Sequence, residues 1–321
     1  LFPYTTLFRS GHLNRLKEVL AFVNHKGGVG KTTSVQNLAA GLRRYGKGHF
    51  GQNIAGKERK PRILLIDLDP QSSLSFLFGW SETANRGLPT MYDALVEQKQ
   101  VPIYQVREGV YLAPASKRLI SIEPFLNQRA VPRKALYKLL SKPLALMTDD
   151  GGDLASDGID CNASFGETVC DYANIKGMVK ITEAFDFVLI DCPPALSLLT
   201  YNALTAASSA VLPVQLEPLA TKGIAEIINA IKETREDLNE DLAVRGLLMV
   251  MSNDQTKATK KFKNYLIETF GDYVFDAYTR RDTKLVEAQS LNKDIFEYAP
   301  YCRVGIDYEQ LTKEILESMP E

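Results

Sequence analysis

The chain has 321 residues, of which 45% are hydrophobic and 24% charged, with a formal net charge of −1. That content can bury a large core in one α/β domain or two smaller ones, and the charge balance excludes a globally basic nucleic-acid binder, so any such contact must come from a local patch. Four cysteines, Cys161, Cys170, Cys192 and Cys302, lack C-x-x-C spacing and argue against a zinc or disulfide scaffold, and no apolar run approaches the roughly 18 residues of a membrane-spanning helix.

Residues Leu1 to Ser10 read as the translation of a common sequencing-adapter oligonucleotide, so 1–14 are treated as a leader and set aside from fold reasoning. The natural start is expected to be missing or to lie near Gly11 to Lys17. One domain is expected over 15–319, with loop insertions near 46–60 and 145–177. Val19 to Val23 is an apolar run that predicts a buried strand, and the spacing of Ser34 to Arg44 predicts a helix. Between them stands His25-Lys26-Gly27-Gly28-Val29-Gly30-Lys31-Thr32-Thr33. A glycine-rich turn between strand and helix lets backbone N–H groups close on an anion, and the helix N-terminus adds free donors and a positive dipole end. Lys31 is then placed to reach β- and γ-phosphates, and the Thr32 hydroxyl to hold Mg²⁺. The usual G-x-x-x-x-G-K-[ST] pattern asks for glycine where His25 stands, and the front of the loop carries a second lysine, Lys26.

Arg62 to Ile66 predicts a second buried strand, delivering Asp67-Leu68-Asp69-Pro70; alternation puts Asp67 and Asp69 on one side. Thr90 to Leu95 predicts a short helix, Val110 to Ala113 a strand, and Ile120 to Leu140 a helical stretch interrupted near Pro132. Residues 148–177 are rich in Asp and Gly and predict a surface excursion. Asp153, Asp157, Asp160 and Glu167 within it invite a calcium reading, but Ala155 stands where an EF-hand needs Asp or Asn. Phe185 to Ile190 is a third strong strand, ending in Asp191-Cys192-Pro193-Pro194, and an acid at that point suits Mg²⁺. Further on, Leu198 to Ala207 and Thr221 to Leu238 predict helices, Ser209 to Val214 and Val244 to Met251 strands. The alternation of strand and helix predicts an α/β fold with a doubly wound, mostly parallel sheet flanked by helices. Two basic clusters follow, Lys257 to Lys263 and Arg280, Arg281, Lys284, and Ile306 to Met319 predicts a terminal amphipathic helix.

The loop, Asp67-Leu68-Asp69-Pro70 and Asp191-Cys192-Pro193-Pro194, in that order, resemble the ParA/MinD family of P-loop ATPases, which carry a deviant Walker A motif; the resemblance runs from Lys17 to Glu317. It implies ATP and Mg²⁺ as cofactors and Lys26, Gly27, Gly28, Val29, Gly30, Lys31, Thr32 and Thr33 as the nucleotide loop, with Lys26 crossing a dimer interface to the partner's nucleotide. It further implies Asp69 as the residue positioning the attacking water, Asp67 as support for the metal and phosphate shell, Asp191 with Thr32 on Mg²⁺, and Asn253 in the adenine pocket. Arg280, Arg281 and Lys284 fall in the stretch whose arginines contact DNA phosphates in that family. The implied activity is slow ATP hydrolysis in DNA partitioning by a ParA/Soj-type ATPase: an ATP-dependent homodimer binds DNA non-specifically and is released when a ParB-like centromere-binding protein stimulates hydrolysis. A cytoplasmic protein, nucleoid-associated when ATP-bound, is expected. MinD-type relatives end in a basic helix that lies on membranes; this tail is mainly acidic, so no membrane partner is expected. A MinD-type membrane-cycling ATPase, a metabolic P-loop ligase and a nitrogenase-type reductase are the alternatives.

Overall fold

A computed structural model describes residues 18–47, 49–50, 59–145, 178–217, 220–253 and 255–319. The leader, most of the 46–60 segment and the acidic excursion, with Cys161 and Cys170, lie outside the described residues.

Seven strands form the main sheet: β1 (Glu18–Phe22), β2 (Ile63–Asp67), β3 (Tyr104–Arg107), β4 (Val110–Ala113), β7 (Phe187–Asp191), β8 (Ser209–Gln215) and β9 (Ala243–Val250), in the order β3-β4-β2-β7-β1-β8-β9. All pair in parallel except β3, an antiparallel edge strand that the sequence pattern did not predict. The short strands β5 (Pro143–Ala145) and β6 (Met178–Lys180) pair with each other, antiparallel, outside this sheet.

Apolar runs form the parallel strands because both of their faces are covered. Successive side chains alternate between two cores: Val19, Ala21, Leu64, Ile66, Val188 and Ile190 enter one, and Leu20, Phe22, Ile63, Leu65, Phe187 and Leu189 the other. The first core is closed by α3 (Met91–Glu97), α4 (Glu123–Asn127), α5 (Ala135–Leu140), α7 (Leu198–Ala206), α8 (Ala220–Asp237) and α9 (Lys257–Phe270). The second lies under α1 (Lys31–Tyr45), α2 (Ser73–Leu77), α11 (Ile295–Tyr298) and α12 (Arg303–Glu317). The remaining helices are α6 (Ile181–Ala184) and α10 (Thr283–Ser290). The helical stretch expected over 120–140 is divided into α4 and α5 by a turn and a 3₁₀ segment at Pro132–Lys134, where proline breaks the ladder.

The terminal helix begins at Arg303, three residues before its predicted start, and packs on α1 with Tyr308, Leu311, Ile315 and Leu316 all 3% exposed or less. Asp307, expected on its polar side, is buried. No helix among the described residues is long and apolar enough to cross a membrane.

Gly41 of α1 lies against α12, where an added Cβ would collide with the Thr312 hydroxyl and come within 3.3 Å of the Phe296 ring. Alanine ordinarily favours a helix over glycine by about 1 kcal/mol, but overpacking a filled core costs about 1–3 kcal/mol. Gly41→Ala is therefore expected to lower the urea midpoint of unfolding, and a raised midpoint would contradict this packing.

Candidate functional site

Strands β1, β2 and β7 are neighbours, so their C-terminal ends deliver three loops to one edge of the sheet, where open α/β sheets bind ligands. Asp67 and Asp191 end β2 and β7 in direct register, and Leu68 N–H donates to the Asp191 carbonyl at 3.0 Å.

The loop after β1 is shaped by its glycines. Gly28 and Gly30 have φ of 73° and 74°, the left-handed region that side chains rarely adopt, and Gly30 caps α1. Gly27 lies against Pro194, which an added Cβ would approach to 3.6 Å. Val29 is buried and anchors the loop from within. Asn24, which the sequence reading passed over, ties the entry of the loop: its amide donates to the Pro213 carbonyl (2.5 Å), and its Oδ1 accepts from Lys26 N–H (2.8 Å).

Lys31 is 6% exposed, and its ammonium donates to the carbonyls of Asn24 and Lys26, both at 3.3 Å. Burial draws its pKa below the usual lysine value, with Asp191 opposing that pull. The Thr32 hydroxyl donates to Asp191 Oδ2 at 2.6 Å, while Asp191 Oδ1 is buried with no hydrogen-bond partner. Burial, reinforced by Asp67, holds the Asp191 carboxyl well above the ordinary carboxylate range. An orphaned carboxylate oxygen beside a threonine hydroxyl is the oxygen donor set that suits Mg²⁺, which takes one or two protein ligands and completes its shell with water and phosphate oxygens. Among the described residues no group of three His, Cys, Asp or Glu side chains gathers into a metal cage.

Asp67 and Asp69 do not stand alike. Asp67 is fully buried; Oδ2 accepts from Ser75 N–H (2.8 Å) and Ser75 Oγ (2.6 Å), and Oδ1 from Asp69 N–H (3.0 Å). Ser75 in turn accepts from Ala115 N–H at 3.0 Å. Asp67 thus braces the turn from behind. Asp69 is half-exposed beyond the strand end, its Oδ1 capping Gln71 N–H at 2.9 Å. Cys192 is fully buried, which pushes its thiol up and agrees with a packing role.

Lys26 is exposed at the front of the loop and pairs with Glu217 at 2.6 Å. Thr33 accepts from Gln289 at 3.0 Å. Asn253 is exposed, its side chain closing a local turn onto Gln255 N–H (3.3 Å), while its neighbour Met251, with φ of 53°, lies closer to the loop: a Cβ on Gly30 would come within 3.4 Å of its methyl. Arg280 is half-buried and held by a carboxylate. Its guanidinium and its N–H all bind the buried Asp307 at 2.6–3.1 Å, pinning the segment to α12. Arg281 is exposed, and Lys284 pairs with Glu287 at 2.7 Å on the surface of α10. A cleft of about 980 Å³ bordered by Trp80, Asn85, Thr90 and Arg118 lies apart from these loops and includes none of their residues.

An AAA domain family model (AAA_31) matches residues 17–145 and 166–244. The chain is 32% identical over 302 residues to the chromosome-partitioning ATPase Soj of Thermus thermophilus, covering 94% of this chain and 96% of that protein. It is 30% identical over 299 residues to the Soj of Treponema pallidum, covering 93% and 97%. Among solved structures it resembles cobyrinic acid a,c-diamide synthase from Mycobacterium smegmatis with bound ATP analogue and magnesium, at a TM-score of 0.65, 26% identity and coverage of 94% and 95%.

Burial raises the Asp67 carboxyl to about 7, against the usual value near 4 in an unfolded chain. A proton held by the folded state but not the unfolded one favours folding: that contribution is complete below about pH 4 and is lost as pH rises through 7. Asp67→Asn, which carries no titratable proton, is expected to show a flatter decline in stability between pH 4 and 7 than wild type, read from urea midpoints of the nucleotide-free protein; parallel curves would remove Asp67 as the titrating group.

Proposed function

The chain belongs to the ParA/MinD family of P-loop ATPases, and we propose that it is a DNA-partitioning ATPase whose ATP-bound form pairs face to face with a second copy and binds DNA without sequence preference. The observation that carries the reading is the convergence of the lysine-rich loop, the bonded pair Thr32–Asp191 and the turn of Asp69 at one sheet edge, in a chain at least 30% identical to two Soj ATPases over more than nine-tenths of its length. Lys31 and the loop amides bind the phosphates of ATP, and Thr32 with Asp191 hold Mg²⁺, which supplies charge neutralisation at the phosphoryl group. Asp69 orients the attacking water from its half-exposed position, while Asp67 fixes the turn that carries it. Asn253, exposed after β9, borders the adenine.

In this reading Lys26 serves the partner subunit. Its pair with Glu217 is exposed, and such pairs contribute at most about 1 kcal/mol, so an incoming phosphate displaces it readily. DNA contact falls to Arg281 and Lys284, with Arg280 anchoring their segment through Asp307. A ParB-like partner accelerates hydrolysis and so ends the DNA-bound state; the switch depends on differential affinity for two nucleotide states rather than on rapid turnover. The cytoplasm, with nucleoid association in the ATP state, is the compartment this cycle requires. The buried apolar face of α12 supports a tail docked on the domain rather than on a membrane.

A ligase reading has one observation in its favour, the 26% identity and TM-score of 0.65 to the solved synthase. ATP turnover measured with DNA and, separately, with small carboxylic acids decides between the two: stimulation by an acid alone would overturn the partition reading. Asp69→Ala is expected to lower turnover about a hundredfold or more while ATP-dependent DNA retention persists; unchanged turnover would remove Asp69 from the mechanism. Arg281→Glu with Lys284→Glu is expected to spare ATP affinity and to reduce the slope of log affinity against log salt by about 2, one for each lost phosphate contact; an unchanged slope would place the DNA elsewhere.

A further inference from the structure

Helix α1 carries polar residues where a core-facing helix needs none. Ser34, Gln36 and Asn37 are at most 1% exposed. Buried polar groups are tolerated when bonded: Ser34 meets the Tyr308 hydroxyl of α12 at 3.4 Å, while Gln36 and Asn37 reach to the turn from α10 into α11. Gln36 Nε2 donates to the Lys293 carbonyl (3.3 Å), and Asn37 Oδ1 accepts from Ile295 N–H (2.8 Å) while its amide donates back to the Thr33 carbonyl (2.8 Å). Gln289, in the last turn of α10, donates to the Thr33 hydroxyl at 3.0 Å.

Thr33 stands apart from the others because it also belongs to the phosphate loop. The first amide to enter the ladder of α1 is that of Ser34, bonded to the Gly30 carbonyl at 2.9 Å. The amides of Lys31, Thr32 and Thr33 precede it and are the donors a helix N-terminus offers an anion. A phosphate drawn to those amides acts on the same residue whose hydroxyl holds Gln289. From Gln289 the eight-residue helix α10 leads back to Lys284 and, past its N-cap Asp282, to Arg281. Gln36 and Asn37 grip the segment further along α1, so it stays docked without Gln289.

We propose that Gln289 is a positioning residue that couples the occupancy of the phosphate loop to α10, and thereby sets the placement of Arg281 and Lys284. The consequence for DNA rests on the reading of those two residues given above; the coupling itself rests on the contact between loop and helix.

Amide hydrogen exchange on the full chain, with and without Mg²⁺ and a non-hydrolysable ATP analogue, tests it in wild type, Gln289→Leu and Gln289→Ala. In wild type the analogue is expected to slow exchange at both 26–34 and 283–291. In either variant the slowing at 26–34 remains, analogue affinity stays within about twofold, and the slowing at 283–291 falls about threefold or more. The ratio of DNA affinities in the ATP and ADP states is expected to fall about fivefold or more, the lower end of ordinary allosteric coupling. Equal slowing of 283–291 in variants and wild type, no response of α10 in wild type, or lost analogue affinity in the variants would each overturn the coupling. If wild type retains DNA in no nucleotide state, the DNA reading fails alone and the exchange data still decide the coupling.

Discussion

Lys31, Asp67 and Asp191 bring one ammonium and two carboxyl groups into the dry edge of a parallel sheet, none of them more than 6% exposed. Desolvation is the largest influence on the proton affinity of all three, larger than the pull between Lys31 and Asp191 or the repulsion of Asp191 by Asp67. An arrangement of this kind weakens a fold unless the neighbourhood supplies donors and counter-charge, and it is what a site for a polyanion and a cation demands. The neighbourhood is built accordingly. Asp67 takes three hydrogen bonds, Asp191 takes the Thr32 hydroxyl, and Lys31 lies against two carbonyls. The strand order that places β7 between β2 and β1 is what makes these partners meet, since a different order would separate Asp191 from one of the other two loops.

Much of this was legible in the sequence because the strands of a doubly covered parallel sheet are short unbroken apolar runs, and three of the runs here end in the residues proposed to carry the chemistry. Val19 to Val23, Ile63 to Ile66 and Phe187 to Ile190 needed no partner to be recognised. The edge strand β3 was not legible, since its burial alternates and it is only four residues long. Nor were the residues whose meaning comes from a distant partner. Glu217 meets Lys26, Ser75 meets Asp67, Asp307 meets Arg280 and Gln289 meets Thr33 only after the chain has folded. Arg280 shows the effect most plainly. In sequence it is one of three basic residues in a cluster, yet a single buried carboxylate on α12 gives it a different task from Arg281 beside it.

The polar stripe of α1 escaped for the opposite reason: its residues were visible, but Ser34, Gln36 and Asn37 are ordinary on an exposed helix face. The burial of Gln36 and Asn37 follows from the docking of 289–295, in which Ile295 is the one fully buried side chain, while Ser34 meets the Tyr308 hydroxyl of α12. Hydrogen bonds take the place of packing there, and hydrogen bonds can exchange partners at lower cost than interlocked side chains. The segment is therefore held in a way that permits it to respond.

The small ladder β5–β6 has a consequence of another kind. Ala145 stands opposite Met178 and Pro143 opposite Lys180, so the chain returns beside the point at which it left. The two ends are fastened as antiparallel rungs, which fixes where the chain re-enters the fold ahead of β7. The same rungs hold the start of the α6–β7 passage beside the end of α5, so the strand that delivers Asp191 sets out from a fixed point.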